Sequence, residues 1–332
     1  VFFYSWFVRI LNINGDVTMF KKFLGFIIIV IVIIIILGAA LYSLNGDDSN
    51  VVKIGYLPTD HDAALFVAQA QDLYGKKGIK VETHQFKGGG DLMSAMASGV
   101  IDVGYVGITP VLSSIDKGVP IKVVSGVQNE GSDLVVSNGS NITNASDLPG
   151  KSVGTPGAGS VQFVLLLYYL KQNNISPDSV DIPAMQVAPM NDALNSNKIE
   201  GMLTYEPYGS ISVYNGNKLL VNSGDIIEDH PCCVVVASDK FIKNKPDALN
   251  VVLEAHENAT EYIKTNASGT VSNLPNDIVP NKDVEENVIS NMKFVTGLNE
   301  SYKQNIRDFM QIEIDLGLLK NSLSDDKIFW SG

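Results

Sequence analysis

The residues whose types and spacing could do chemistry in this 332-residue chain are small and polar, and they fall in short segments. The segments are 57–61, 88–91, 107–109, 154–160 and 205–206. Each of them follows a short apolar run and comes before a stretch with helical periodicity. A helix that begins at such a loop leaves its first backbone N–H groups without intrahelical acceptors. The pattern therefore predicts the hydrogen-bonded capture of a small solute.

Two side chains in these segments are candidates for direct contact with such a solute. His61 could donate a hydrogen bond to it, or it could belong only to the turn that caps the next helix. Glu206, which follows Tyr205 at the end of a predicted strand, could contact the ligand, or it could cap the helix that begins after Pro207. The sequence alone leaves both pairs of alternatives open.

Sequence motifs of catalysis and of cofactor binding are missing from the chain. The glycine-rich segment 154–160 has neither the lysine of a phosphate-binding loop nor the third glycine of a dinucleotide site. No nucleophile elbow and no zinc-protease spacing occurs. We therefore expect a binding protein that is not an enzyme and that uses no cofactor.

The two cysteines of the chain, Cys232 and Cys233, are neighbours. Together with Asp229 and His230 they could supply metal ligands, but crowded neighbours rarely converge on one ion, so no metal site is expected. Because side chains alternate along a strand, we expect the two thiols to lie on a buried strand and to face opposite ways.

The elements that would position these segments alternate between short apolar runs and amphipathic stretches. From Val51 onwards this alternation is typical of βα units. The segment 95–102 recurs as 193–200, and in both a predicted helix ends at a residue that tolerates left-handed geometry. The repeat predicts two lobes of related architecture.

The lobes have predictable limits. The first lobe is predicted to comprise 51–131 and the mostly helical 239–332, and the second lobe 133–231. The apolar strand 232–238 would return the chain to the first lobe. Two such crossings make a hinge, and hinged lobes close around ligands.

An uncharged run at 23–44 precedes the lobes, and its 22 residues would span roughly 33 Å as a helix, close to the thickness of a bilayer core. We therefore predict a single-pass anchor in the cell membrane, with a cleavable signal peptide as the alternative. The lysines in 19–22 place that segment in the cytoplasm and the lobes on the extracellular side. Residues 45–50 would be a linker, and 1–18 are interpreted as an upstream extension before Met19.

The formal net charge of the chain is −12 at pH 7. An acidic chain repels phosphate backbones, so no nucleic-acid partner is expected. The charge of the whole surface carries no information on the ligand, because a cleft is a local environment.

Six segments of the chain occur in the order seen in one protein family. They are GYLPTDHDAALFVAQAQDLYGKKGIKVE, GGGDLMSAMASGVIDVGYVGITP, GVPIKVVSGV, SDLPGKSVGTPGAGS, TYEPY and DHPCCVVVAS. On these motifs, residues 51–243 resemble the substrate-binding proteins of the nitrate, sulfonate and taurine ABC importers, and also the thiamine-pyrimidine synthesis proteins. The resemblance implies an α/β, type II periplasmic-binding-protein fold, with a membrane permease and an ATPase as partners.

The resemblance also implies which residues line the cleft. They are Asp60, His61, Gly89, Asp91, Gly107, Thr109, Gly157, Ser160, Tyr205 and Glu206. Tyr205 stands where the family usually has tryptophan, so aromatic stacking on the ligand would be weaker.

We expect a sulfonate, taurine, nitrate or a similar small solute, held by helix N-termini and His61, since few cationic side chains fall in these loops. A pyrimidine-type ligand is the alternative, because its N–H groups would suit Glu206 and Tyr205. Such a ligand could be carried, or it could be synthesised on the same fold. A sensory receptor is less favoured, because almost no cytoplasmic segment follows Met19.

Overall fold

A computed structural model describes residues 25–34 and 50–332 and divides the chain into two units, Val1–Asn50 and Val51–Gly332. In the first unit, residues 25–34 form a helix whose large apolar side chains from Phe26 to Ile34 are exposed. Within the described ranges, no helix combines the length and the apolar character needed to cross a membrane. Much of the predicted anchor, 23–44, lies outside the described residues, and the anchor stays a prediction.

The second unit alternates strands and helices, as the sequence pattern predicts. Its strands are β1 (Val51–Tyr56), β2 (Lys80–Gln85), β3 (Val103–Gly107), β4 (Ile121–Asn129), β5 (Ser132–Val136), β6 (Val153–Gly154), β7 (Gly201–Tyr205), β8 (Lys218–Asn222), β9 (Pro231–Ser238) and β10 (Lys293–Phe294). The helices up to the return strand are α1 (Ala63–Ala70), α2 (Gly89–Ala97), α3 (Ile108–Asp116), α4 (Val161–Gln172), α5 (Met190–Asn195), α6 (Tyr208–Tyr214) and α7 (Ser223–Ile226). The helices after it are α8 (Asp239–Asn244), α9 (Pro246–Thr265), α10 (Ala267–Asn273), α11 (Lys282–Asn291), α12 (Glu300–Asp315) and α13 (Asp325–Ile328).

Six strands form the first sheet, in the order β10-β4-β9-β3-β1-β2. Strand β1 pairs in parallel with β2 and β3, whereas β9 runs antiparallel to its neighbours β3 and β4. Strands β3, β4 and β9 are buried almost throughout, as unbroken apolar runs predict for strands that are covered on both faces. Helix α9 packs against α1 beside this sheet.

The remaining strands form a second sheet, in the order β6-β7-β5-β8. Strand β5 runs antiparallel to β7 and β8, and β6 lies parallel to β7. We call the parts built on the six-stranded and the four-stranded sheet the first and the second lobe. Helix α11 contacts α6, so the C-terminal segment, which was predicted to belong to the first lobe, also touches the second.

The chain passes between the two sheets at two places. It leaves the first lobe between β4 and β5, where Glu130 and Gly131 have left-handed backbone geometry, with φ values of 60° and 76°. It returns between α7 and β9, where Asp229 has a φ of 51°. The residues at these crossings belong to no helix or strand, so a change in their backbone angles would move one lobe relative to the other.

Candidate ligand-binding site

A cavity of about 490 Å³ lies among the loops that follow the strands of both lobes. Its wall is built from residues 57, 59, 61, 87–90, 107, 110, 156–162, 184–187, 205, 232 and 233. Ligands of open α/β sheets bind at the carboxyl ends of strands, and β1, β3 and β7 end here at residues 56, 107 and 205. The cavity is therefore the candidate ligand-binding site.

Three helices begin at the wall of this cavity. Helix α2 starts after Gly88, α3 after Gly107 and α4 after Ser160, and all three of these residues line the cavity. The first N–H groups of each helix have no intrahelical acceptor, and the aligned peptide dipoles place partial positive charge at the same end. The site thus presents several hydrogen-bond donors to a negatively charged group.

The ionisable side chains in the described part of the wall are not carboxylic acids. No aspartate or glutamate lines the cavity among the described residues, whereas Lys87 and His61 do. This composition contrasts with the net charge of −12 of the whole chain. The rest of the wall includes apolar side chains, among them Leu57, Val161 and Met185. The cavity therefore suits a ligand with an anionic group and an apolar part.

Six of the ten predicted site residues line the cavity: His61, Gly89, Gly107, Gly157, Ser160 and Tyr205. Gly89 packs so closely on α3 that a Cβ atom there would lie 2.6 Å from Pro110 Cγ. Ser160 caps α4 through its hydroxyl oxygen, which accepts a hydrogen bond from the Phe163 N–H at 3.2 Å. The close packing and the cap explain why small residues occupy these loops.

The other four predicted residues lie elsewhere. Asp91 is exposed on α2, and Thr109 is buried, with its hydroxyl oxygen lacking a hydrogen-bond partner. Asp60 is fully buried beneath the Thr59 hydroxyl, which donates to its Oδ1 at 3.2 Å. Glu206 accepts hydrogen bonds from the Ser210 N–H at 3.0 Å and the Ser210 hydroxyl at 2.6 Å, the geometry of the capping alternative.

Several wall residues were not singled out by the sequence. Gln162 is buried, and its amide donates a hydrogen bond to the Ser132 hydroxyl at 2.9 Å. Met185 and Gln186 come from an irregular segment after Pro183, which carried no recognisable motif. A buried glutamine in the first turn of a predicted apolar helix was the one available signal, since buried polar side chains need a partner.

His61 meets both cysteines at the wall of the cavity. Its Nε2–H donates to the Gly131 carbonyl at 3.0 Å, and its Nδ1 lies 3.7 Å from Cys232 Sγ and 3.6 Å from Cys233 Sγ. The two sulfur atoms are 3.9 Å apart and unbonded. The prediction that the thiols face opposite ways is therefore wrong.

A β-bulge explains why the two thiols converge. On β4, Gln128 pairs with Cys233 and the next residue, Asn129, pairs with Pro231. Cys232 is thus an extra residue without a partner on β4, and an extra residue interrupts the alternation of side chains along a strand. The bulge brings neighbouring side chains to the same side, which the simple period of two does not predict.

Four carboxyl groups, which we call the carboxyl cluster, lie behind the site: Asp60, Asp133, Glu206 and Glu285. Burial, followed by the charge of Glu206, raises the pKa of Asp133 to about 8. Burial and Glu206 likewise raise the pKa of Glu285 to about 8, and burial raises the pKa of Asp60 well above its ordinary value. Because Asp60 follows β1 of the first lobe, whereas Asp133 and Glu206 lie on β5 and after β7 of the second, the cluster joins the lobes.

A second cavity, of about 600 Å³, opens beside α11 and the crossing after β4. Among the described residues, its wall holds the carboxyl groups of Glu130, Asp133, Glu206 and Asp283 and the cation Lys293. Although it is larger, it lacks the glycine-rich loops and the three helix N-termini. We therefore take the cavity of about 490 Å³ as the site.

Known proteins resemble the chain in sequence and in fold. A protein of Bacillus subtilis (strain 168), provisionally named as an aliphatic sulfonates-binding protein, is 26% identical over 291 residues, which are 85% of this chain and 86% of that protein. The alkanesulfonate-binding protein SsuA from Xanthomonas axonopodis pv. citri, solved with bound MOPS, has a TM-score of 0.76 at 18% identity and covers 85% of this chain and 98% of its own. The periplasmic nitrate-binding protein NrtA from Synechocystis PCC 6803 has a TM-score of 0.71 at 16% identity, with 84% of each chain covered.

These likenesses confirm two of the predictions. The α/β fold is that of the periplasmic binding proteins, and the resemblance to binding proteins of the sulfonate and nitrate type is borne out. The sequence model of the NMT1-like family matches residues 45–272, more than half of the chain. The chain therefore belongs to the NMT1-like family.

Proposed function

We propose that this protein is the solute-binding component of an ABC importer and that its solute is a small anion with an apolar part, such as an alkanesulfonate. The observation that carries the proposal is the convergence of three helix N-termini on a cavity without carboxylates in its wall. Such a site stabilises negative charge and, among the described residues, offers no carboxylate to an organic cation. The names of the Bacillus and Xanthomonas relatives agree with this choice of solute.

The size and the wall of the cavity favour an organic anion over nitrate. A nitrate ion would leave most of about 490 Å³ unfilled. An alkyl chain would instead contact Leu57, Val161 and Met185 and would be removed from water. Burial of each CH₂ group would stabilise the complex by about 0.8 kcal/mol. The pyrimidine alternative relied on Glu206 as an acceptor, and that carboxylate is engaged by Ser210.

Binding would couple to closure of the lobes. The cavity wall takes residues from both lobes, and the backbone turns at Glu130, Gly131 and Asp229 connect them. A solute that contacts both lobes binds the closed arrangement more tightly and shifts the population towards it. The closed form would then be the one that a permease and its ATPase recognise.

We also propose that the chain is held at the outer face of the cell membrane by the apolar run 23–44. The support is the lack of charge over this run and the exposure of the apolar side chains of the helix at 25–34. Exposed side chains of this kind favour a lipid environment over water. Release of the chain from isolated membranes by an alkaline carbonate wash would contradict this anchor.

A thermal-shift experiment on the full chain in detergent tests the solute. An alkanesulfonate at 100 times its dissociation constant should raise the free energy of unfolding by about 2.7 kcal/mol, and the melting temperature by several degrees. Alkylamines of equal length are the matched control, because they keep the apolar part and reverse the charge. A larger shift with the amines than with the sulfonates would refute an anion site.

A substitution at Gly90 tests the role of the helix N–H groups. Gly90 lies in the first turn of α2, lines the cavity, and has open space where a Cβ atom would be. Gly90→Pro removes one N–H group in the first turn, where the N–H has no intrahelical acceptor to lose, and it should weaken sulfonate binding roughly tenfold, the effect of one hydrogen bond to a charged group. Gly90→Ala adds the Cβ but keeps the N–H, and it should bind like the parent. Equal affinity of the two variants, measured by calorimetry, would show that this N–H does not contact the solute.

A further inference from the structure

Three side chains of types that can ligate a metal converge at the wall of the cavity. They are His61, Cys232 and Cys233, with exposed fractions of 1%, 2% and 5%. Their ligand atoms, His61 Nδ1 and the two Sγ atoms, all lie within 4.8 Å of one another. This cluster has no part in the anion-binding geometry of the helix N-termini, so its arrangement calls for a separate explanation.

The distances between these atoms match three corners of a metal tetrahedron. With metal–sulfur bonds of about 2.3 Å and metal–nitrogen bonds of about 2.0–2.1 Å, zinc would require sulfur atoms about 3.8 Å apart and nitrogen about 3.5–3.6 Å from each sulfur. The structure has 3.9 Å between the sulfur atoms, and 3.7 Å and 3.6 Å from nitrogen to sulfur. An ion fits between them with shifts of a few tenths of an ångström.

The hydrogen bond of the imidazole orients it for a metal. The Gly131 carbonyl can only accept a hydrogen bond, so the Nε2 atom of His61 carries the proton. In the neutral ring the lone pair is then on Nδ1, which faces both thiols. Histidine ligands of metals usually donate their other N–H to a backbone carbonyl in this way.

We propose that His61, Cys232 and Cys233 bind one borderline or soft metal ion of the Zn²⁺ class, with its fourth coordination position open to the ligand cavity. Two thiolates and an imidazole suit such an ion, whereas Mg²⁺ and Ca²⁺ require oxygen ligands. Binding converts both thiols to thiolates and releases their two protons. Because all three residues line the cavity, the fourth position faces the space where a solute would lie. The site goes beyond the proposed solute binding and does not depend on it.

Cobalt is the probe, because it takes the same geometry as zinc and absorbs light. The full chain in detergent, kept reduced with a phosphine, is titrated with Co²⁺. We expect one ion for each chain, with a thiolate-to-cobalt charge-transfer band in the near ultraviolet and displacement of the cobalt by Zn²⁺. Since the chain has two cysteines in all, a thiolate band can come only from this pair.

Substitutions of the three proposed metal ligands should have different effects on the charge-transfer band. Cys232→Ser and Cys233→Ser should each lose about half of the charge-transfer intensity, whereas His61→Gln should keep it, and all three should bind Zn²⁺ about 100-fold more weakly or worse. His84→Gln, on β2 and away from the cavity wall, is the matched control and should bind like the parent. Melting temperatures without metal identify any variant that fails to fold.

Two outcomes would overturn the metal site. One is the lack of a charge-transfer band in the reduced parent chain, a measurement that depends on no variant. The other is a band that survives when both cysteines are replaced by serine. The titration contains no sulfonate, so its failure and a failure of solute binding are separate results.

Discussion

Raising the pH from about 6.5 to about 8.5 should lower the melting temperature of the full chain by several degrees. Asp133, Glu285 and Glu313 have pKa values of about 8 in the folded chain, mainly because they are buried. In an unfolded chain they would titrate near pH 4. Between these values the folded chain binds more protons than the unfolded chain, so its stability falls as the pH rises towards the folded pKa. Each group contributes up to about 1.4 kcal/mol for each pH unit over this window.

The buried His256 opposes part of this effect on the acid side. His256 is buried between the Tyr105 hydroxyl and the Gly126 carbonyl, and burial lowers its pKa to about 4. Because its pKa is lower in the folded chain than in the unfolded one, its contribution is lost as the pH falls from about 6.5 to about 4. Three carboxyl groups gain stability as the pH falls over the range in which His256 loses it. The carboxyl groups therefore dominate, and we expect stability to keep rising from about pH 8 to about pH 4–5.

A pair of variants on α11 tests the carboxyl groups. Glu285→Gln should raise the free energy of unfolding by roughly 2 kcal/mol at pH 6 and by more at pH 8.5, because it removes a buried group that must take up a proton on folding between about pH 4 and pH 8. It should have little effect near pH 4. Glu286→Gln, on the exposed residue beside it, is the control and should change stability by less than about 0.5 kcal/mol. A melting temperature of the parent chain that rises between pH 6.5 and pH 8.5 would mean that Asp133 and Glu285 are already ionised in the folded chain.

The second large effect is expected at Gly104, in the middle of β3. A Cβ atom there would lie 2.8 Å from Leu92 Cδ2, 3.0 Å from Met96 Sδ and 3.2 Å from Val236 Cγ2. Gly104→Val should therefore overpack the contact between α2 and the first sheet and cost about 3 kcal/mol of stability, measured by urea unfolding. Because α2 carries Gly89 and Gly90 at its start, its displacement should also weaken solute binding.

A substitution in open space is the control for this effect. Gly139→Val places the same side chain in a loop, where the nearest atom to a Cβ, Ser137 Oγ, is 3.9 Å away. It should leave both the urea midpoint and the solute affinity near those of the parent. If Gly104→Val and Gly139→Val unfold at the same urea concentration, then the position of α2 does not depend on the absence of a side chain at residue 104.

Local pattern was enough to predict much of the fold. The alternation of apolar runs and amphipathic stretches after Val51 corresponds to strands and helices of the structure, because burial on a sheet and on a helix face imposes different periods. Six of the ten predicted site residues line one cavity, since loops at the carboxyl ends of strands meet there. Both predictions rest on rules that act within a few residues along the chain.

The features that the sequence did not predict depend on contacts between segments that are far apart in the chain. The convergence of Cys232 and Cys233 depends on their register with Gln128 and Asn129, which are far away in the chain. The choice of Glu206 between solute and Ser210 depends on how the strand end meets α6. Neither the strand register nor the angle between the strand end and α6 can be predicted from the residue types of one short segment. The sequence could therefore only leave these alternatives open.

The order of the strands has a consequence for folding during synthesis. The second sheet is complete within 132–222, whereas β3 of the first sheet must wait for β9, which is made only after the whole second lobe. Nearby segments pair fast and distant ones slowly, because closing a long loop costs chain entropy. The second lobe is therefore expected to fold first, while β3 is unpaired along one edge and β4 has no partner in the sheet. Insertion of β9 between them is the late step, and it is also the step that delivers the thiols to His61.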